Sequence, residues 1–149
     1  MAADAWVLHT KAKEYLGDGT IDLDAHVFKV GLALSTSNIA TVSVDALSTV
    51  TNQHAAANGY TVQTLGSVTW SDLSSDGTIN FDCADPAFTA SGGSIVARYA
   101  FIYDDSVTTP VADPILAHCL LDNTPADVTA TDGNALTLQI NAAGIFATN

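Results

Sequence analysis

Apolar and polar residues alternate with a period of two over many short segments of this chain, a pattern typical of β-strands. The segments are 25–34, 60–64, 66–73, 78–83, 94–105, 114–121, 127–131 and 135–141. Turn-forming residues separate them, and two Asp-Gly turns, at 76–77 and 132–133, predict hairpins. About eight short strands at this spacing predict an all-β fold, an antiparallel β-sandwich of the jelly-roll type.

The longest apolar run, residues 94–105, contains Arg98, the single arginine of the chain. One face of this strand would carry Ile95, Ala97, Tyr99, Phe101 and Tyr103. The other face is also largely apolar, which is typical of a strand inside a layered β structure. Because an unpaired guanidinium is costly in a core, we predict a structural salt bridge from Arg98 to Asp82 or another strand aspartate. The alternative is that Arg98 binds a carboxylate across a subunit interface.

Residues 1–16 differ from the rest and predict a short helix or N-terminal arm, followed by one β-sandwich domain at 17–149. Gly17 is expected to end the helix. The apolar stripe of this segment is narrow, so it either packs on the edge of the sandwich or reaches a neighbouring subunit. Its interface candidates are Trp6, Val7, Lys11 and Lys13.

Residues 35–59 form the least regular part of the chain, apart from a short turn predicted at 44–50. Long ordered loops on a β scaffold often carry binding function. The loop is therefore the second predicted contact region, with Val44 and Leu47 as its interface candidates.

The chain has 149 residues and a net charge of −12, with fifteen aspartates and one glutamate. Aspartate favours turns and glutamate favours helix interiors, so this composition also indicates few helices. The negative charge opposes binding to nucleic acid and to anionic membranes. We find no signal-peptide pattern and expect a cytoplasmic origin, with Cys83 and Cys119 reduced. One bridge between these cysteines is the alternative.

No residue pattern predicts catalysis, since no serine lies in a G-x-S-x-G turn and Asp104 and Asp105 would point to opposite faces of a strand. Three aspartates partly resemble a calcium loop: Asp18, Asp22 and Asp24. A calcium loop would place a glutamate where this chain has Lys29, which would repel a cation. We therefore interpret them as solvated turn residues, with calcium as the alternative. The histidines lack zinc spacing, and we expect no metal, no cofactor and no enzyme activity.

Four stretches of sequence together cover 62 of the 149 residues: GTIDLDAHVFKVGL at 19–32, GSVTW at 66–70, TINFDCADPAFTASGGSIVARYAFIYDD at 78–105 and DGNALTLQINAAGIF at 132–146. In these stretches the chain resembles a family of small virion proteins of tailed bacteriophages, encoded among head genes. The resemblance implies a capsid decoration (cement) protein, made in the host cytoplasm, that binds the major capsid protein on the capsid exterior and stabilises contacts between capsomers. It also implies a homotrimer at threefold points, often with a terminal arm that clamps neighbours.

The alternative function is that of a β-sandwich associated with the tail, baseplate or fibre, with host glycans as ligands. Glycan sites favour exposed aromatic rings beside Asp or Asn. Tyr60, or Tyr103 beside Asp104, would then supply the ring.

Overall fold

The computed structural model describes residues 3–73 and 75–148, and this part of the chain is mostly β-structure. Its elements are β1 (Val7–Leu8), α1 (Thr10–Asp18), β2 (Phe28–Ala33), a 3-10 helix (Leu47–Thr49), β3 (Gln63–Thr64), β4 (Thr69–Ser71), β5 (Ile79–Asp82), β6 (Ala87–Thr89), β7 (Ile95–Ala97), β8 (Tyr99–Asp104), β9 (Ile115–Leu120), β10 (Val128–Ala130), β11 (Ala135–Thr137) and β12 (Phe146–Thr148). No helix in the described ranges combines the length and apolar character that crossing a membrane requires.

All strand pairs are antiparallel, which confirms the predicted fold class; the jelly-roll connectivity stays a prediction. The largest sheet has five strands in the order β1-β9-β8-β2-β3, and a three-stranded sheet has the order β12-β5-β4. Two further pairs, β10-β7 and β11-β6, complete the described sheets. The structure thus contains twelve short strands in its described part, where the sequence predicts about eight.

The five-stranded sheet is covered on both faces, as the apolar pattern of β8 predicts. Ala100 and Ile102 point into the main core, which also contains residues such as Phe28, Phe81 and Leu116. Phe101 and Tyr103 point the opposite way, into a second core. The loop at 35–59 covers that second face with Ile39, Val44 and Val50. The loop is therefore part of the folded scaffold.

The predicted single strand at 94–105 is wrong in one respect, because the chain changes sheets at Arg98. β7 pairs with β10, whereas β8 pairs with β2 and β9. Ile95 and Ala97 lie in the main core, on the opposite side from Phe101. Arg98 is an extra residue between the two strands, so the alternation of side chains between the two faces shifts by one position. Its amide donates to Ala33 O (2.9 Å), and its carbonyl accepts from Leu121 N (3.0 Å).

Two other sequence predictions are corrected by the pairing. The segments around Asp132-Gly133 do not pair with each other, because β10 joins β7 and β11 joins β6. The Gly133 amide donates to Ala90 O at 2.8 Å, so this turn connects two different sheets. Gly17 lies inside α1, and the helix ends one residue after it, where Gly19 adopts the left-handed conformation (φ 81°) that glycine accepts without strain.

Candidate interaction surface

The N-terminal segment, residues 3–18, packs on the edge of the five-stranded sheet, which is the first of the two alternatives for the predicted arm. Residues 1 and 2 of that arm lie outside the described residues. β1 pairs with β9, with Val7 opposite His118 and Leu8 opposite Ala117. Trp6 and Leu8 pack against the main core. Val7 points to the other face and is 43% exposed, so it is available for contact with a partner.

Helix α1 buries one side, and its two lysines flank the buried Ala12 and reach solvent. Ala12 and Tyr15 are buried in the main core. Lys11 forms an exposed ion pair with Glu14 (2.6 Å), which is the main reason why its pKa is raised, with a smaller contribution from Asp45 of the loop. Lys13 is exposed, and no ion pair to it is found among the described residues.

Hydrogen bonds join the N-terminal segment to the loop, so the two predicted contact regions are neighbours. The Thr10 amide donates to Val42 O at 2.9 Å, and the His9 side chain bonds to Val44 O at 2.7 Å. Val44 is buried in the second core, and Leu47 packs against it half-buried. Val44 therefore stabilises the loop and offers little surface to a partner.

Val42 is the one large apolar side chain that is exposed in the loop 35–59, at 40% exposure, and the sequence pattern does not predict it. In an extended strand residues 42 and 44 would share one face, so alternation cannot distinguish them. A turn separates them instead, because the Val44 amide donates to Thr41 O at 2.9 Å.

His9 and His118 form a buried pair beneath this region. His9 Nε2 lies 2.9 Å from His118 Nδ1, and the rings meet edge to face with centroids 5.0 Å apart. Burial lowers the pKa of His9, and burial together with the neighbouring His9 lowers the pKa of His118 to about 4. Nothing in the sequence indicates this pair, since its members are 109 residues apart.

Arg98 forms the predicted salt bridge with another strand aspartate, Asp127, which begins the predicted strand 127–131, and Asp82 as the named partner is wrong. The Nε–Oδ1 distance is 2.8 Å, and both side chains reach solvent. Asp127 lies just before β10, which pairs with β7, whereas Asp82 ends β5 in the three-stranded sheet. The change of sheets at Arg98 therefore places the guanidinium beside Asp127.

The aspartates considered for calcium accept hydrogen bonds from nearby backbone. Asp18 Oδ1 accepts from Thr20 N at 2.9 Å, and Asp22 Oδ1 accepts from Asp24 N at 3.0 Å. No group of three His, Cys, Asp or Glu side chains in the described ranges is arranged to hold a metal ion.

The aromatic residues considered for glycan binding are buried, which corrects that assignment. Tyr60 is 3% exposed and its hydroxyl accepts from the Leu32 amide at 2.7 Å. Tyr103 is 4% exposed, and burial with Asp105 and Asp113 nearby raises its pKa to about 12. Neither ring can stack on a sugar in this fold.

A cleft of about 840 Å³ separates residues 3–6 from the segment 136–145. Trp6 forms part of its wall and Cys119 part of its lining. Cys119 and Cys83 are both free and buried, and burial raises the pKa of each thiol to about 12. The cysteines are therefore inert thiols in the folded protein.

Four exposed or half-exposed side chains lie on the segments that the Thr10 and His9 bonds hold together, and we name them the N-terminal surface: Val7, Lys11, Lys13 and Val42. This surface combines two apolar side chains with two ammonium groups. Comparisons with protein-family models, with curated proteins and with solved structures found no match to this chain. The chemistry of the N-terminal surface is therefore the main guide to a partner.

Proposed function

We propose that this protein is a non-enzymatic decoration (cement) protein of a tailed-phage capsid, where it binds the major capsid protein on the exterior and stabilises contacts between capsomers. We also propose that it acts as a homotrimer. The resemblance of four sequence stretches to small phage virion proteins supports this function. The observation that carries it is that hydrogen bonds from His9 and Thr10 hold the N-terminal segment against the loop.

A prearranged surface suits this role, because a partner then binds with little loss of conformational freedom. Val7 and Val42 offer apolar area that is not needed by the protein's own core. Each such side chain is worth roughly 1 kcal/mol when a partner covers the part that is still exposed.

Charge also favours a defined orientation on the partner. The chain carries −12 overall, while two of its four Lys and Arg residues, Lys11 and Lys13, lie on helix α1. The helix also carries Glu14 and Asp18, so it is neutral overall, and an acidic patch on the capsid would repel it less than it repels the rest of the acidic surface. Such a difference fixes the orientation of docking more than its affinity.

The test measures co-sedimentation of the purified protein with capsids of the phage that carries this gene, prepared without the protein. We expect wild type to bind, and the double variant Val7→Ser/Val42→Ser to bind roughly 30-fold more weakly, since two side chains of about 1 kcal/mol each sum to about 2 kcal/mol and about 1.4 kcal/mol corresponds to a factor of ten. Val62→Ser is the matched control, because Val62 is similarly exposed (37%) but lies beside β3 at the opposite edge of the sheet.

Equal binding of the double variant and wild type would refute the role of the N-terminal surface, and no binding by wild type would refute capsid decoration. Copy number in purified particles gives a second readout. Hundreds of copies support decoration, whereas six or twelve copies would favour the tail or baseplate alternative.

A further inference from the structure

The His9–His118 pair connects three parts of the fold through one chain of hydrogen bonds. His9 lies between β1 and α1, His118 lies in β9, and the Val44 carbonyl belongs to the loop. His9 is fully buried and His118 is 7% exposed. The two imidazoles thus lie where the N-terminal segment meets both the sheet and the loop.

The hydrogen bonds determine where the protons of a neutral pair must lie. A carbonyl only accepts, so His9 carries its hydrogen on Nδ1 and donates it to Val44 O. A neutral His9 then has only a lone pair at Nε2, so His118 must donate from Nδ1. If both rings were protonated, two N–H groups would face each other at 2.9 Å and the pair would break.

No neighbouring carboxylate offsets a charge on either ring. The charged groups on the adjoining elements are Asp4 of the N-terminal segment, Lys11, Lys13, Glu14 and Asp18 of α1, Asp45 of the loop and Asp104 of β8. The β8 residue directly opposite His118 is the apolar Phe101. Among the described residues none of these groups hydrogen-bonds to either imidazole. His26 shows the contrast, because its Nδ1 lies 2.7 Å from Oδ2 of the buried Asp104.

We propose that the His9–His118 pair is an acid-sensitive latch, which holds residues 3–18 on the sheet while both rings are neutral and releases them when the pair is protonated. The proposal concerns the isolated protein and does not depend on capsid binding. Release would uncover the outer edge of β9, where an extended segment of another protein could pair in place of β1.

The direction of the pH effect follows from the lowered pKa values. When residues 3–18 are released, the pKa of His118 returns to its ordinary value of 6.5, whereas the docked segment holds that pKa at about 4. Docking is therefore fully favoured above pH 6.5 and weakens as the pH falls toward 4. From His118 alone, the opening equilibrium should rise roughly 50- to 100-fold between pH 7.5 and pH 4.5, and His9 adds to this in the same direction.

The test is hydrogen–deuterium exchange of the full chain between pH 7.5 and 4.5, with rates corrected for the intrinsic effect of pH. Peptides covering residues 3–18 report the latch, and peptides covering β2 and β8 report the remaining sheet. His118→Asn places an amide donor near the position of Nδ1 but cannot be protonated in this range. His54→Asn is the matched control, since the His54 imidazole bonds to the adjacent Ala55 carbonyl and contacts Tyr60 rather than either histidine of the pair.

We expect at least a tenfold acid-induced rise in exchange at residues 3–18 in wild type and in the His54→Asn variant, with β2 and β8 still protected. The pH dependence of the His118→Asn variant should be shallower by about one proton. The latch is overturned if residues 3–18 stay protected at pH 4.5, if β2 and β8 lose protection in parallel, or if His118→Asn keeps the full acid response. If that variant does not fold, NMR titration of wild type decides: protonation of His118 must coincide with loss of protection at residues 3–18.

Discussion

Replacing Gly31 with alanine tests the packing between the five-stranded sheet and the loop. Gly31 lies directly opposite Phe101 in the β2–β8 register. A Cβ at position 31 would lie 2.6 Å from Phe101 Cζ and 3.0 Å from Cε1, closer than carbon atoms approach without displacement. The aromatic ring lies across the glycine and fills the space that a side chain would need.

The expected cost is the difference between two opposing effects. Alanine restricts the unfolded chain more than glycine does, which favours the variant by about 0.5–1 kcal/mol. Phe101 is fully buried in the second core, so its ring can move only by displacing neighbours such as Ile39 and Val44. Overpacking of this kind costs about 1–3 kcal/mol. We therefore expect a net loss of about 1–2 kcal/mol in the free energy of unfolding.

Urea denaturation measures this loss, and Gly17→Ala is the matched control. Gly17 lies in helix α1 with no atom within 4 Å of an added Cβ, so the same change should stabilise the protein by about 0.5–1 kcal/mol. With a slope of about 2 kcal/mol/M, the Gly31→Ala midpoint should fall by about 0.5–1 M. A Gly31→Ala midpoint equal to or above that of wild type would refute the reasoning, because the ring would then not occupy this space.

Three further results are expected. Asp127→Asn should lower the free energy of unfolding by less than about 1 kcal/mol in urea denaturation, since the Arg98–Asp127 pair is partly exposed; a loss of 3 kcal/mol or more would indicate a buried pair. Tyr60→Phe should cost about 1–2 kcal/mol, because the buried Leu32 amide loses its acceptor; an unchanged midpoint would contradict that role of the hydroxyl. Cys83 and Cys119 should react with a thiol reagent at pH 8 at least 1,000-fold more slowly in the native protein than in urea. The reason is that a pKa of about 12 leaves roughly one thiol in 10⁴ in the reactive thiolate form. Fast labelling of either cysteine in the native protein would show that the thiol is accessible.

The sequence predicts the strands that carry large side chains in a regular alternation, and it misses those that do not. β2, β8 and β9 have six residues each, enough for the period of two to appear. β1 has two residues and β6 has three, too few for any periodicity. The change of sheets at Arg98 is equally hidden, because residues on both sides are apolar in either register.

Only part of the candidate surface could be predicted, because some of its residues stand out in the sequence and others do not. Val7 and the lysines of α1 stand out in sequence because they interrupt the surrounding pattern. Val42 and Val44 look alike in sequence and differ only through a local turn. The histidine pair depends on a contact between distant segments, and nothing in the local sequence around either residue indicates it.

Removing the whole N-terminal segment would not separate capsid binding from folding. The segment contributes Ala12 and Tyr15 to the main core, and Trp6 packs against it. Its loss would also leave the Val44 carbonyl without the His9 donor and would expose the edge of β9. A truncated protein would therefore lose core packing and the loop contact together with the N-terminal surface, so weaker capsid binding would not identify which of them makes the contact. Substitutions at exposed side chains avoid this ambiguity. Val7→Ser and Val42→Ser should leave the free energy of unfolding, measured by urea denaturation, within about 0.5 kcal/mol of wild type, as is usual at surface positions. Any loss of capsid binding would then belong to the surface itself.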